Sequence, residues 1–337
     1  PTYTPEQIES YRNGTNKSTD WKEIVMRNNA PQTQHSLSAT GGNDKIHYYA
    51  SIGYQNQGSF LRTNAINYEK YNFRSNISGK VTDNLDFQLN LAGLHDERNT
   101  SPYSSNDIVR AMWLHRPMDQ VYYDEQTGKY GMMDWNVILN PVAMMDKSLV
   151  GENSYQSKWF QSSASLTYHF PFLEGLSLTG LYSYDYTLNN NKEYSKTFTL
   201  YQPNGTPYKA NTQQNGNSRI SRYFYDKNAT LSQIRLQFDR SFGNHDLSVM
   251  NLYEQSHNVG DNFYGRRYGV LPLAQIFAGI TEDQEILQST SSGSLYDYAN
   301  AASVGRLSYA FKSKYLAEFS YRYEGSSKFP KSHRWGF

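Results

Sequence analysis

The segment Leu176–Leu188 reads LSLTGLYSYDYTL, and its side chains separate into two sets of period two. One set is Leu176, Leu178, Gly180, Tyr182, Tyr184, Tyr186 and Leu188; the other is Ser177, Thr179, Leu181, Ser183, Asp185 and Thr187. Successive strand residues point to opposite faces, so this run predicts a β-strand with one aromatic-aliphatic face and one largely polar face. At thirteen residues it exceeds the usual strand of a soluble sandwich and suits a tilted membrane crossing.

The same rhythm extends both ways. Gln156–Phe170 precedes it across the short Pro171–Gly175 turn. Toward the N-terminus, Gln34–Gly41 pairs with Lys45–Gln57, and Tyr68–Val81 pairs with Asn84–His95, where Leu85, Phe87, Leu89 and Leu91 alternate with Asp86, Gln88 and Asn90. Toward the C-terminus, Tyr225–Phe242 pairs with His245–Asn258 across Gly243-Asn244, and Tyr296–Phe311 with Lys314–Glu324. Between these hairpins lie long polar stretches, from Glu97 to about Tyr155, from Asn189 to about Ser221, and from Val259 to about Leu295. Strands joined alternately by tight turns and long loops are the pattern of a transmembrane barrel, whose periplasmic turns only reverse direction while its outer loops carry recognition. A soluble sandwich or solenoid would also alternate, but it leaves the strand length, the loop asymmetry and the lack of a fixed repeat unexplained.

Composition points the same way. Thirty Tyr, sixteen Phe and five Trp make up 15% of the chain, and such side chains suit a boundary between hydrocarbon and water. The mean hydropathy of -0.77 hides a barrel because each strand is apolar on one face only. A formal charge of +1 gives no field for a polyanion, so a nucleic-acid partner is not expected. The absence of Cys removes disulfides, thiolate catalysis and cysteine-bound metal.

No catalytic constellation accompanies the titratable groups. His115-Arg116 near Asp119, and His245-Asp246, lack a nucleophile motif, a His pair or a phosphate loop, so no enzyme activity and no cofactor is expected. Asp124, Glu125 and Asp134 lack the spacing of a calcium loop and read as a solvated acidic loop, and His245 reads as a solvated turn residue. The candidate substrate-binding residues are Trp113, His115, Arg116 and Trp135, in the longest loop. Aromatic faces stack on sugars, and Arg hydrogen-bonds hydroxyls or peptide carbonyls. Loop-internal packing is the competing explanation for each of them.

Two stretches are more specific than the pattern. Asn13–Phe60 contains Asp20-Trp21, Ala30-Pro31, His35-Ser36-Leu37-Ser38, Gly41-Gly42 and YYASIGYQNQG in that order, and Arg322–Phe337 reads RYEGSSKFPKSHRWGF. These resemble, respectively, the start of the barrel and a mid-barrel signature in the SusC/RagA family of TonB-linked outer-membrane transporters. Glu324, Lys328 and His333 depart mildly from that signature. The resemblance implies an all-β fold, a partial transmembrane antiparallel β-barrel of the TonB-dependent receptor type with long extracellular loops. Residues 1–33 would be a linker and short helix leading into the barrel, and 34–337 the N-terminal portion of the barrel, without plug or C-terminal strands. It further implies uptake of oligosaccharides or oligopeptides across the bacterial outer membrane, driven through TonB by segments outside this chain. A SusD-like surface lipoprotein would be the partner and outer-membrane lipid the surroundings. A passive porin-like or adhesin-like barrel without energy coupling is the alternative.

Overall fold

The computed structural model describes residues 3–133, 138–210, 217–269, 273–288 and 294–337. Helix α1 (Pro5–Arg12) opens on a capping box in which the Thr4 side chain accepts from the Gln7 N–H and Gln7 accepts from the Thr4 N–H. Then come α2 (Trp21–Val25), β1 (Gln32–Gly42), β2 (Ile46–Gly58), β3 (Asn67–Thr82) and β4 (Leu85–Thr100). The long loop holds α3 (Ser105–Leu114), β5 (Tyr122–Asp124), β6 (Lys129–Tyr130), α4 (Pro141–Met145) and α5 (Lys147–Val150). The sheet resumes with β7 (Gly151–His169) and β8 (Leu176–Ser195); β9 (Phe198–Tyr201) and β10 (Pro207–Ala210) form a small hairpin. β11 (Ser218–Phe242), β12 (His245–Gly269), β13 (Gln284–Leu287), β14 (Tyr296–Phe311), β15 (Tyr315–Ser326) and β16 (Trp335–Gly336) complete the chain.

One antiparallel sheet of twelve strands dominates, in the order β1-β2-β3-β4-β7-β8-β11-β12-β14-β15-β16, with β13 on β12. Every long strand pairs with its sequence neighbour, and the short turns all lie at one end. Several strands outrun the expected bounds: β11 and β12 reach 25 residues each, from Ser218 and to Gly269. The extra lengths carry polar residues on both faces, so the alternation fades while the backbone ladder continues.

The register assigns the two faces. Leu37, Ile52, Phe73, Gly93 and Phe160 lie in one cross-strand row, and Tyr168, Leu178, Leu236, Asn251, Gly305 and Tyr321 in another row of the same face. Leu37 is 68% exposed, Ile52 60% and Ile234 59%, which in water would expose an extended apolar patch. This is the lipid-facing belt. The opposite face carries Arg74, Asn76, Asn90, Gln161, Ser163, Asp185, Gln233 and Glu254, with Asn90 Nδ2 donating to Ser163 Oγ at 3.1 Å and Gln233 Nε2 to Glu254 Oε2 at 3.0 Å.

The belt runs diagonally to the register. Ala50, the middle of the belt on β2, is carried through Ser75, Leu91, Ser162, Tyr184 and Thr230 to His257 on β12. On β12 the belt of Leu247, Val249 and Tyr253 centres on Val249, eight residues from His257 (257 − 249). At ~3.3 Å per residue and ~4.8 Å per strand step, that slide over six steps gives a tilt of about 40°. From Tyr315 to Gly325, under Trp335, the belt is then about 25 Å tall, the height of an outer-membrane apolar band. Aromatic girdles close it. At the short-turn end, Tyr168, Phe170 and Phe172 pack edge to face with ring separations of 5.0 and 5.4 Å, and Lys312 and Lys314 lie over Phe311 and Tyr315. His245, expected as a solvated turn residue, instead packs 5.0 Å from the Phe311 ring and hydrogen-bonds Tyr309 Oη at 2.6 Å, because the turn folds it onto the girdle.

Several aromatic rings cover a glycine directly across a strand pair: Tyr48 over Gly41, Phe73 over Gly93, Tyr321 over Gly305 and Trp335 over Gly325. A Cβ at Gly305 would sit 2.1 Å from the Tyr321 ring. The bare backbone of one strand thus accommodates the flat ring of the next. The β14–β15 turn is less well matched, since Lys312 and Ser313 both hold φ of 53° without being glycine. Gly305→Val is expected to destabilise the full-length barrel by about 1–3 kcal/mol and Ser313→Gly to stabilise it by about 1 kcal/mol. Midpoints of urea unfolding in lipid micelles, read by the gel shift on heating, check both.

Candidate functional site

The long-loop end carries a packed cap, and it contains most of the sequence-selected residues. Trp21 and Val25 of α2, Leu61, Ile108, Ala111 and Met112 of α3, and Met144 and Met145 of α4 form one buried cluster. A second cluster joins Met132, Ala143, Val150, Phe198, Leu200 and Ala210, tying the long loop to the β9–β10 hairpin. The segment before β1 runs along this end. Arg27 N donates to Phe60 O at 2.7 Å, Arg62 N to Val25 O at 2.8 Å, and Thr19 N to Pro117 O at 2.6 Å.

Helix α3 owes its length to sequence signals that are easily read. Ser104 caps it by accepting from the Asp107 N–H, and Ile108, Ala111, Met112 and His115 repeat at helical spacing on the buried side. The other side presents Asn106, Arg110, Trp113 and Leu114 to solvent, with Trp113 69% exposed.

The candidates separate on this helix. His115 is buried, its ring 4.5 Å from Trp21 and its Nδ1–H donating to Ala111 O at 2.8 Å. Burial holds its pKa below the ordinary imidazole value, against the opposing pull of the Ala111 carbonyl and Asp119. Arg116 forks onto Asp119, with Nη2 to Oδ1 at 2.7 Å, and its carbonyl accepts from Trp21 Nε1 at 2.9 Å. Both therefore hold the cap together. Trp135 lies outside the described residues. Among the described members of the set, Trp113 is the one that offers a free aromatic face.

Two features escaped the sequence reading. Asn140 is fully buried and satisfies four groups: Nδ2 donates to Val121 O at 2.8 Å and Gly131 O at 3.0 Å, while Oδ1 accepts from Val142 N and Ala143 N. The signal was Asn140 followed by Pro141, a cap followed by the residue suited to a first helical position. The other is an aromatic and cationic cluster in which Tyr123 stacks on Tyr201 at 5.6 Å with Lys129 Nζ 5.2 Å from the same ring. The bridge between Gly131 and Tyr201 that brings these loops together is long range and leaves no local trace. Tyr130 Oη donates to Asp146 at 2.9 Å, and burial, followed by the Asp146 carboxylate, pushes the phenol pKa upward. Among the described residues no group of metal-ligating side chains comes together.

Comparison with known proteins places this architecture. No family model matches the chain. The TonB-dependent receptor SusC of Bacteroides thetaiotaomicron is 25% identical over 339 residues, covering 95% of this chain and 31% of that protein. TonB-dependent receptor P3 of Formosa agariphila is 22% identical over 346 residues, 100% of this chain and 32% of that protein. The chain thus spans about a third of the length of the curated relatives it matches. A solved structure of the RagAB peptide importer in its open-open state superposes with a TM-score of 0.71 at 20% identity, over 95% of this chain and 34% of that one. The RagAB peptide transporter gives 0.70 at the same identity and coverage. At that identity the superposition speaks for the fold alone. The chain is thus similar in sequence to TonB-dependent receptors of the SusC type and shares the antiparallel sheet of the RagAB barrel, a fold of the bacterial outer membrane.

Two outcomes follow for the cap. Because His115 is depressed, the unfolded cap binds a proton that the folded one excludes, so cap stability is full above about pH 6.5 and declines as pH falls toward the folded value. Limited proteolysis of the long loop at pH 7.5 and 5.5 is expected to show faster cutting at 5.5, and His115→Gln is expected to remove that difference. Trp21→Ala is expected to cost about 3–5 kcal/mol of cap stability while the barrel retains its gel shift on heating.

Proposed function

We propose that this chain forms part of the wall and recognition rim of a TonB-dependent importer that carries oligosaccharides or oligopeptides across the outer membrane. The observation that carries the reading is the two-faced tilted sheet: an apolar belt about 25 Å tall outside, a hydrogen-bonding wall inside, and a packed cap at the long-loop end. A wall lined with Asn, Gln, Ser and Arg suits a cargo rich in hydroxyl or amide groups. Trp113, on the solvent side of α3, and the Tyr123–Tyr201–Lys129 cluster are the surfaces able to stack against a sugar or a prolyl ring. The similarity to SusC and to the RagAB structures supports a surface lipoprotein of SusD type over this rim and TonB as the source of energy.

The deciding experiment is uptake by the native host with the full-length gene intact, deleted, or combined with loss of TonB. Uptake of a glycan or peptide that disappears on either deletion supports the reading, and uptake that survives loss of TonB identifies a passive pore. Within the importer, Trp113→Ala is expected to weaken cargo binding about three- to tenfold, the worth of one aromatic stacking contact, with the barrel's gel shift unchanged.

A further inference from the structure

The outer face holds a groove of about 770 Å³ between β1 and β7, beyond what the transport reading uses. Its floor is the row Leu37, Ile52, Phe73, Gly93 and Phe160, continuous with the belt. Gly93 supplies no side chain, so the Phe73 ring lies across it toward Phe160, the two rings 6.4 Å apart. The upper edge is the next row toward the long loops: His35, Tyr54, Tyr71, His95 and Lys158. Its rings form a ladder, His35 to Tyr54 at 6.4 Å, Tyr54 to Tyr71 at 5.0 Å and Tyr71 to His95 at 6.4 Å.

A smooth girdle needs neither a hollow nor a concentration of basic groups. This one ends in the exposed Lys158 ammonium beside His95, whose Nδ1 is buried without a hydrogen-bond partner among the described residues. The row above carries the Glu69 and Glu97 carboxylates, held one row away from the floor by Asn56 Nδ2 at 2.9 Å on Glu69, and by Ser154 Oγ at 3.0 Å and Gln156 Nε2 at 3.2 Å on Glu97. Lys158 is therefore the exposed cation at this corner, and free hydrocarbon surface lies directly beneath it. That vertical order matches a membrane lipid.

We propose that this groove is a specific site for one phosphorylated glycolipid of the outer leaflet, with an acyl chain along the Leu37–Phe160 floor and the phosphate on Lys158. Continuity with the belt brings the chain in from the bilayer. The Lys158 charge fixes the headgroup by a charge-assisted hydrogen bond.

The test uses the full-length protein extracted in mild detergent, with heat-modifiability first confirming a folded barrel, so that failure of the barrel reading is seen separately. Native mass spectrometry then follows titration with monophosphorylated lipid A, the same lipid without phosphate, and inorganic phosphate. One adduct of the phosphorylated lipid is expected, with binding reduced about tenfold by Lys158→Gln, as for loss of one charge-assisted hydrogen bond, and retained by Lys158→Arg. Gly93→Val, which drives Phe73 into the groove, is expected to abolish the adduct. Should Gly93→Val fail to fold, the Lys158 pair decides alone. Equal adducts in wild type and Lys158→Gln, equal binding of the lipid without phosphate, or binding of inorganic phosphate alone would overturn the proposal.

Discussion

The constraint on which the rest depends is that no backbone N–H or C=O can be left unpaired in hydrocarbon. A sheet meets it only by running its ladders without interruption through the bilayer, which is why the pairings from β1 to β15 are continuous across the belt, with one irregularity near Lys80 at the short-turn edge. Once the ladders are fixed, the side-chain period is fixed too, and a slip of one residue would turn the belt toward the polar interior. The tilt, the two girdles and the position of the long loops all follow from that register.

Within the ladders, side chains solve a second problem. Large rings are favoured at the lipid boundary, yet neighbouring strands lie only about 4.8 Å apart. Placing Gly93, Gly305 and Gly325 opposite Phe73, Tyr321 and Trp335 lets each ring lie flat on its neighbour. It also explains why glycine and aromatic residues keep company in the Arg322–Phe337 motif, where Arg322 and Glu324 pair on the inner face while Tyr323 and Trp335 stack on the outer one.

The barrel was legible in the sequence because its determinants are local: alternation along Leu176–Leu188 and a tight turn at each hairpin need only neighbouring residues. Strand ends above the belt were not legible, since alternation has no cause where both faces meet water, and β12 runs on to Gly269 by cross-strand bonds alone. The cap was half legible. Its helix signals at Ser104 and Asn140-Pro141 are local, but the burial of His115 against Trp21 joins residues nearly a hundred positions apart, and nothing in the neighbourhood of His115 announces it. Trp113 and His115, two positions apart on one helix, point in opposite directions, a distinction that residue type cannot make.

The 25-residue strands have a consequence for how such a surface changes over time. Above Ile234, β11 continues for sixteen residues (218 to 233), or roughly 40 Å of height at the tilt of the sheet. There the outer face answers to water and the inner face to cargo, and neither is bound by the demands of lipid. Substitutions in that upper tier leave the buried ladder below untouched, so selection can rewrite specificity on a rigid frame whose geometry the bilayer has already set.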